Sequence, residues 1–195
     1  MSEETIRTQL YLAWDAIPEA AVIAAALESA LPACLCVGVS SEAETAALAE
    51  LRALCHEREV PLLVSGPAAL AMAAVREAGL DGVHGLAAPG AIAEARQLLG
   101  PDAIVGAHAG HSRHDAMGAA EAGADYVALG PFESPAAERW AALMDLCTWW
   151  AATVEVPLVA WDATGAAAPA LVGVADFIVP ARDESEAVAA MLRAP

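Results

Sequence analysis

The stretch AIVGAHAGHSRHDAMGAAEAGADYVALGPF, residues 103–132, contains two strand-like runs joined by one helical pattern. Residues 103–107 are small or β-branched apolar residues without polar alternation, which is typical of a strand buried in a parallel sheet. Ser112 and Asp115 have the spacing of a helix capping box, so we expect a helix to begin between them. Gly123 supplies the left-handed residue that ends such a helix, and the apolar run after it is the second strand. The stretch is therefore one β-α-β unit.

The loops that follow the two strands carry the first candidate functional residues. His108 and His111 lie after the first strand, and Gly130 follows the second. Because the carboxyl ends of parallel strands meet at one edge, these residues are expected near each other, at the edge where ligands bind. Imidazole titrates near neutrality, so we interpret His108 and His111 as candidates for general acid–base catalysis. The alternative is that they are hydrogen-bonded loop histidines.

The same unit repeats along the chain. Eight strand-like runs alternate with eight helical patterns, and no composition break separates a second domain. We therefore predict an α/β fold, a compact (β/α)8 TIM barrel forming a single domain over residues 1–195. The alternative is an open doubly wound sheet, which usually has a glycine-rich first turn that this chain lacks. The predicted strands are 9–14, 34–39, 60–64, 82–84, 103–107, 126–129, 157–161 and 177–179, and the predicted helices are 19–29, 43–58, 68–78, 91–99, 113–122, 136–151, 166–171 and 184–192.

The composition excludes several classes of protein. Apolar residues make up 58% of the chain, but long runs such as residues 20–27 are far shorter than the ~20 residues of a membrane span. The first ten residues, MSEETIRTQL, lack the basic and apolar segments of a signal peptide, so we expect a cytoplasmic protein. The net charge is −17, with nine arginines and no lysine, which argues against nucleic acid and anionic membranes as partners.

The four cysteines, Cys34, Cys36, Cys55 and Cys147, show no paired metal-ligand spacing. We interpret them as core thiols and predict no metal site. Cys34 and Cys36 lie two residues apart in a strand and so share a face, which leaves a soft-metal pair as the alternative.

Four segments resemble the thiamine phosphate synthase and TenI (thiazole tautomerase) family, and the likeness extends over nearly the whole chain. The resemblance implies a short (β/α)8 barrel that acts on the two halves of thiamine. His84 belongs to a motif of this family and is interpreted as scaffold. The segments are ALCHEREVPLLV at 53–64, LDGVH at 80–84, GPDAIVG at 100–106 and AGADYVALGP at 122–131.

The ligand-binding positions of that family are replaced here, which makes the chain a divergent member. The resemblance implies residues that bind diphosphate, phosphate and magnesium at these positions. This chain has other residues there, so we predict no cofactor. The replacements are CVGVS at 36–40 for Gln-x-Arg-x-Lys, Ser65-Gly66 for Asn-Asp, Pro89 near an expected aspartate, FESP at 132–135 for Thr-x-Thr-Lys, Trp161-Asp162 for Gly-Gly and Val179-Pro180 for a serine-containing phosphate loop.

A set of aromatic and charged residues remains at the predicted strand ends. Indole rings with carboxylates nearby suit a neutral or cationic aromatic ligand, such as a thiamine precursor without phosphate. The alternative is that the tryptophans plug an unused barrel end. Arg182 is the one arginine expected there, paired with an aspartate or holding one anionic group. The ligand-binding candidates are Trp14, Asp15, Gly130, Trp161, Asp162 and Arg182.

These observations predict a barrel related to thiamine biosynthesis that lacks synthase activity and binds at most a small ligand that is not a polyanion. The alternatives are an active synthase with relocated ligands, a thiazole tautomerase that uses a loop histidine, and a non-catalytic scaffold or interaction protein. We also expect a homo-oligomer, because Trp140, Trp149 and Trp150 on one helix are candidates for burial against a neighbouring subunit.

Overall fold

The structure is a computed structural model that describes residues 7–193; the side chain of Thr45 is also left out of the description. Residues 1–6 and 194–195, which the predicted single-domain span of 1–195 includes, lie outside the described residues. In the part that is described, no helix is both long enough and apolar enough to cross a membrane.

Eight parallel strands close into a barrel in sequence order, which confirms the predicted fold and rules out the open sheet. Trp14, His108, Gly130 and Trp161 lie at the carboxyl ends of their strands, as predicted. We call this end the mouth and the amino end the base. The strands are β1 (Gln9–Trp14), β2 (Cys34–Gly38), β3 (Leu62–Ser65), β4 (Gly82–Leu86), β5 (Ile104–Gly110), β6 (Tyr126–Leu129), β7 (Leu158–Ala163) and β8 (Phe177–Pro180).

The helices follow the strands in the predicted order, with some boundaries moved. The largest shift is in α6, predicted from residue 136, because Ser134 holds the turn before it: its Oγ accepts from Ala136 N–H at 3.2 Å and its carbonyl from Ala137 N–H at 2.9 Å. The helices are α1 (Ala20–Ser29), α2 (Thr45–His56) preceded by a 3-10 turn (Glu42–Glu44), α3 (Ala68–Ala78), α4 (Pro89–Leu99), α5 (Arg113–Glu121), α6 (Trp140–Thr153), α7 (Ala168–Leu171) and α8 (Ser185–Leu192).

The capping signals of the opening stretch act as predicted at both ends of α5. Ser112 Oγ accepts a hydrogen bond from Asp115 N–H at 3.2 Å. Gly123 has φ +94°, in the region that a residue with a Cβ rarely adopts. One prediction in this stretch was wrong, because β5 does not end at residue 107 but continues to Gly110.

Alternation along the strands produces two apolar layers. Leu10 and Leu12 of β1 pack outward against the helices, whereas Tyr11 between them points into the barrel. Cys34 and Cys36 of β2 also face the interior, as their spacing predicted. Burial raises the pKa of both thiols, that of Cys36 to about 12, so both are neutral core groups. The described residues contain no group of three or more His, Cys, Asp or Glu side chains placed to hold a metal.

Aspartates join neighbouring strands at the base. Asp81, Asp125 and Asp176 each precede an even-numbered strand, and each carboxylate accepts a backbone N–H from the first or second residue of the odd-numbered strand before it, at 2.7–2.8 Å. Arg96 donates to Asp125 at 2.6 Å and to the carbonyl of Ala103 at 2.7 Å. The base is therefore held by a repeated side-chain-to-backbone bond.

The tryptophans of α6 pack within the chain itself. Trp150 is 1% exposed and donates from Nε1 to the Val156 carbonyl at 2.7 Å, so the prediction that it packs against another subunit is wrong. Arg113 covers Trp149, with Cζ 3.3 Å from the ring centroid, and Trp140 meets Phe132 edge to face. The homo-oligomer stays a prediction, without support from Trp150.

Candidate functional site at the barrel mouth

Five aromatic side chains meet inside the barrel near its mouth: Tyr11, His84, His108, Tyr126 and Trp161, which we call the ring cluster. The imidazole of His84 stacks on the Trp161 indole with centroids 4.0 Å apart and planes 7° apart. Tyr11 and His108 both meet the same indole edge to face at 5.7 Å. Each ring comes from a different strand, so closure of the barrel brings them together.

Hydrogen bonds join three members of the ring cluster, Tyr11, His84 and Tyr126. The Tyr126 hydroxyl is 2.8 Å from His84 Nδ1 and 3.0 Å from the Tyr11 hydroxyl. His84 is 2% exposed, and burial, with the nearby His108, lowers its pKa to about 3. Burial likewise raises the pKa of both tyrosines. The cluster is therefore uncharged at neutral pH, and His84 is a neutral imidazole with its Nδ1 partner fixed.

The two tryptophans that sequence reasoning paired lie on opposite faces of the strands. Trp161 packs with the interior layer, whereas Trp14 packs with the layer between strands and helices. Period-2 alternation explains this, since Trp14 stands an odd number of residues from the inward-facing Tyr11. Only Trp161 is therefore placed to fill the barrel interior.

The two candidate catalytic histidines are also separated. His108 is inside β5 rather than in the loop after it, and is half-buried beside His84 and Trp161. Burial is the largest cause that lowers its pKa; His111 adds to the effect and Asp162 opposes it. His111 is exposed, with Nε2 3.4 Å from the Pro131 carbonyl. The register between β5 and β6 shifts between His108 and Gly110, so the strand pairing is irregular between the two histidines.

An open cleft of about 790 Å³, the mouth cleft, lies between the ends of β1, β7 and β8. It is lined by five of the six predicted ligand-binding residues: Trp14, Asp15, Trp161, Asp162 and Arg182. Arg182 forms an ion pair with Asp15, one of the two partners predicted for it, and both side chains are largely exposed. Asp162 is exposed and has φ +54°.

Gly130, the sixth residue, lies under the backbone of Trp161. Its φ is +151°, and a Cβ at this position would overlap the Trp161 carbonyl oxygen. Gly130 therefore allows β6 and β7 to approach where Trp161 turns into the barrel, which is a packing role.

A second cleft of about 470 Å³, the side cleft, opens between the loops after β5 and β6. His111, Glu133 and Trp140 line it, and so does Arg139. The prediction that Arg182 is the one arginine at this end was therefore wrong. The sequence analysis placed Arg139 inside a helix predicted from residue 136. Because α6 begins only at Trp140, Arg139 lies just before it and lines the side cleft.

Carboxylates of the chain bind backbone N–H groups at two places round the mouth. Glu44 accepts from Ser40 N–H and from Ser40 Oγ, both at 2.8 Å, and these bonds lower the pKa of its carboxyl group. Glu184, at the start of α8, accepts from Gly165 N–H in the loop after β7. In barrels of this type, loops after the seventh and eighth strands often bind phosphate through such N–H groups.

The residue present at position 38 also bears on anion binding. A Cβ on Gly38 would overlap the carbonyl oxygen of Asp15, so the loop after β1 fills the space that a side chain there would need. Ser65-Gly66 and Pro89 offer no carboxylate for magnesium. The residues present therefore do not fit the metal that the family resemblance implies.

Sequence reasoning did not identify Tyr11 and Tyr126, and it classed His84 as scaffold. A signal was available: the period-2 pattern places Tyr11 and Tyr126 on inward faces, and Gly106 on β5 leaves the space that the Tyr126 ring fills. What the sequence could not supply is the pairing of strands across the barrel.

Comparison with known proteins agrees with this architecture. The family model described as thiamine monophosphate synthase matches residues 20–172. A thiamine-phosphate synthase from Rhodospirillum centenum is 38% identical over 181 residues, covering 87% of this chain and 86% of that protein. One from Erythrobacter litoralis is 41% identical over 122 residues, 60% of this chain and 55% of that protein.

Among solved structures, a thiamine phosphate pyrophosphorylase from Pyrococcus furiosus has a TM-score of 0.73 at 19% identity, covering 97% of this chain and 99% of that one. At this identity the likeness concerns the fold alone. The match over most of the chain, together with the relative from Rhodospirillum centenum, shows that this chain belongs to the thiamine monophosphate synthase family.

Proposed function

We propose that this barrel does not join the two halves of thiamine, and that its mouth binds a small ligand that is not a polyanion. One observation carries the proposal: carboxylates of the chain already accept the backbone N–H groups of Ser40 and Gly165. A diphosphate needs such donors, or a cation, to replace its hydration.

The second support is the shortage of cations at the mouth cleft. Arg182 is the one arginine among the residues that line it, and Asp15 already pairs with it. The family's arginine and lysine positions hold Gly38 and Ser40, and Gly38 cannot take a side chain unless the loop after β1 moves. A ligand phosphate would have to break the existing ion pair to be neutralised.

The electrostatic balance disfavours a polyanion. The mouth cleft is bordered by Asp15, Asp162, Asp183 and Glu186. A phosphate charge about 4 Å from one unpaired carboxylate is repelled by about 4 kcal/mol at an effective dielectric constant of about 20. The whole binding free energy of a micromolar ligand is about 8 kcal/mol, so two such contacts remove it.

The remaining chemistry is that of His108 and Trp161. His108 carries a lowered pKa, so at neutral pH it is a free base that can accept a proton from a ligand in the mouth. Asp162, the carboxylate near it, opposes that lowering and would stabilise the imidazolium once formed. An uncharged or singly cationic thiamine precursor without phosphate fits these groups.

The test is pyrophosphate release by purified protein with hydroxymethylpyrimidine diphosphate, thiazole phosphate and magnesium. The proposal expects a rate equal to that of the buffer blank. The relative from Rhodospirillum centenum is a thiamine-phosphate synthase, which favours turnover as the competing result. Release above the blank, lost in Arg182→Ala but kept in Arg139→Ala at the side cleft, would show a working synthase whose phosphate site uses Arg182, and would refute the proposal.

A further inference from the structure

The first helix, α1, is apolar on the face that it turns to solvent. Ala21, Val22 and Ala25 lie on this face and are exposed, Val22 by 45%. Residues 20–27 contain no charged side chain, although the net charge of the chain is −17. A surface helix normally carries charged or polar residues on its outer face. The outer face of α1 therefore indicates contact with another protein surface.

Leu31, just past the end of α1, is a second exposed apolar residue. It is 70% exposed, the highest value among the large apolar residues exposed in the described part of the chain. Its φ is +51°, the left-handed conformation in which helices usually end with glycine or asparagine. A leucine at this position is unfavourable both for the backbone and for its exposure to water. A surface that covers its side chain would remove the second of these costs.

The two ends of α1 carry opposite charges. Glu19 precedes the helix, is exposed, and makes no capping hydrogen bond with its side chain. At the other end, Arg193 donates to the Ser29 carbonyl at 2.8 Å and to the Ala30 carbonyl at 3.4 Å. Within residues 7–193, neither Glu19 nor Arg193 forms an ion pair. An antiparallel copy of the same helix would place each charge opposite its complement.

We propose that the outer face of α1 binds a second copy of this chain. The two copies of α1 pack nearly antiparallel across a twofold axis at Ala25, where small side chains allow the helix axes to approach closely. Because both chains use the same patch, the patch must be complementary to itself. Residues 17–19 of each copy then lie beside residues 29–31 of the other.

This arrangement accounts for the features at both ends of the helix. Leu31 of one copy contacts the partner's Ile17 and the partner's Pro18, at positions that are half-buried in a single chain. Glu19 of one copy pairs with the partner's Arg193. The twofold axis repeats both contacts, so the apolar face is flanked on each side by an opposite-charge pair. This charge complementarity favours a second copy over an unrelated protein.

The contact is independent of any ligand at the mouth, so the proposed function and this inference can fail separately. A contact made by one helix and its two ends lies at the small end of the range for specific interfaces. We therefore expect a reversible dimer with a dissociation constant in the micromolar range.

Sedimentation velocity from low micromolar to several hundred micromolar protein should show a reversible monomer–dimer equilibrium of the unaltered chain. Ala25→Arg brings two guanidinium groups together at the axis and should raise the dissociation constant at least about tenfold. Ala93→Arg makes the same change at an exposed alanine of α4 and is the matched control, with an unchanged constant expected. A monomer at every concentration, or a dimer that Ala25→Arg leaves as strong as Ala93→Arg does, would overturn the inference.

An exchange of charges tests the antiparallel arrangement. Glu19→Arg and Arg193→Glu should each weaken the dimer, because each places like charges opposite one another. The double variant restores opposite charges and should recover most of the affinity, which damage to the helix itself would not do. Leu31→Gly suits the left-handed backbone, so it should weaken the dimer without lowering the midpoint of thermal unfolding at concentrations where the chain is monomeric. No recovery in the double variant would refute this arrangement.

Discussion

At both the base and the mouth of this barrel, carboxylates accept backbone N–H groups, but the two sets of hydrogen bonds differ in role. At the base, Asp81, Asp125 and Asp176 each accept a backbone N–H at the start of a neighbouring strand, in a repeated arrangement. At the mouth, Glu44 and Glu184 accept N–H groups of the loops after β2 and β7, and the loop after the seventh strand often binds phosphate in barrels of this type. The bonds at the base join neighbouring strands and so stabilise the barrel. The bonds at the mouth occupy loop N–H groups that an anionic ligand would otherwise need.

The largest effect should come from the base. Asp125→Ala leaves the Val105 N–H without its partner and removes the ion pair with Arg96, so we expect a loss of about 2 kcal/mol in the free energy of unfolding. Urea unfolding followed by circular dichroism measures this. Asp102→Ala, an exposed aspartate at the same end, is the control and should change stability by less than about 0.5 kcal/mol. Equal losses in the two variants would mean that the base is not held by this bond.

The ring cluster should give an intermediate effect whose sign depends on pH. At pH 7, His84→Phe removes one hydrogen-bond partner of Tyr126 and should lower the free energy of unfolding by about 1 kcal/mol. The folded pKa of His84, about 3, lies below the unfolded value, so the unfolded chain takes up the proton first on acidification.

The unaltered chain should therefore lose about 1.4 kcal/mol per pH unit relative to His84→Phe between about pH 6 and pH 4. The stability order of the two proteins then reverses in acid. Chemical unfolding of both at several pH values checks this. Parallel pH profiles would show that His84 titrates alike in the folded and unfolded chains.

The smallest effect should come from the mouth. Arg182→Ala removes an ion pair whose two side chains are 75% and 85% exposed, so the free energy of unfolding should change by less than about 0.5 kcal/mol. Thermal unfolding at low and at high salt measures this. A loss comparable to that of Asp125→Ala would show that the mouth is a structural brace like the base.

The barrel could be predicted from local signals alone. The Ser112 cap, the Gly123 stop and the apolar strand runs depend on residues close in sequence, and eight repeats of that unit leave few ways to close. The observed helix boundaries differ from the predicted ones where a local hydrogen bond competes with the apolar pattern. Before α6, for example, Ser134 accepts the N–H groups of Ala136 and Ala137 and holds a turn. The extension of β5 to Gly110 could not be seen, because Ala109 and Gly110 do not separate strand from loop.

The site was harder to predict, because its geometry depends on which strands face each other across the barrel. The pairing of Arg182 with Asp15 was among the expected options, since both follow adjacent strands. The stacking of Trp161 on His84 was not, because β4 and β7 are not adjacent in the barrel and the family motif that contains His84 indicates a scaffold role. The carboxylate of Glu184, which accepts the Gly165 N–H, belongs to no motif that sequence reasoning could use.

The central claim is that the mouth no longer binds phosphate groups, and calorimetric titration of the unaltered protein with magnesium pyrophosphate tests it most directly. Glu44 and Glu184 already accept backbone N–H groups at the mouth, and Asp15 already pairs with Arg182. We therefore predict no saturable binding heat at ligand concentrations up to the millimolar range. Saturable binding in the micromolar range, abolished by Arg182→Ala, would contradict the claim and show that the phosphate site of the family has survived.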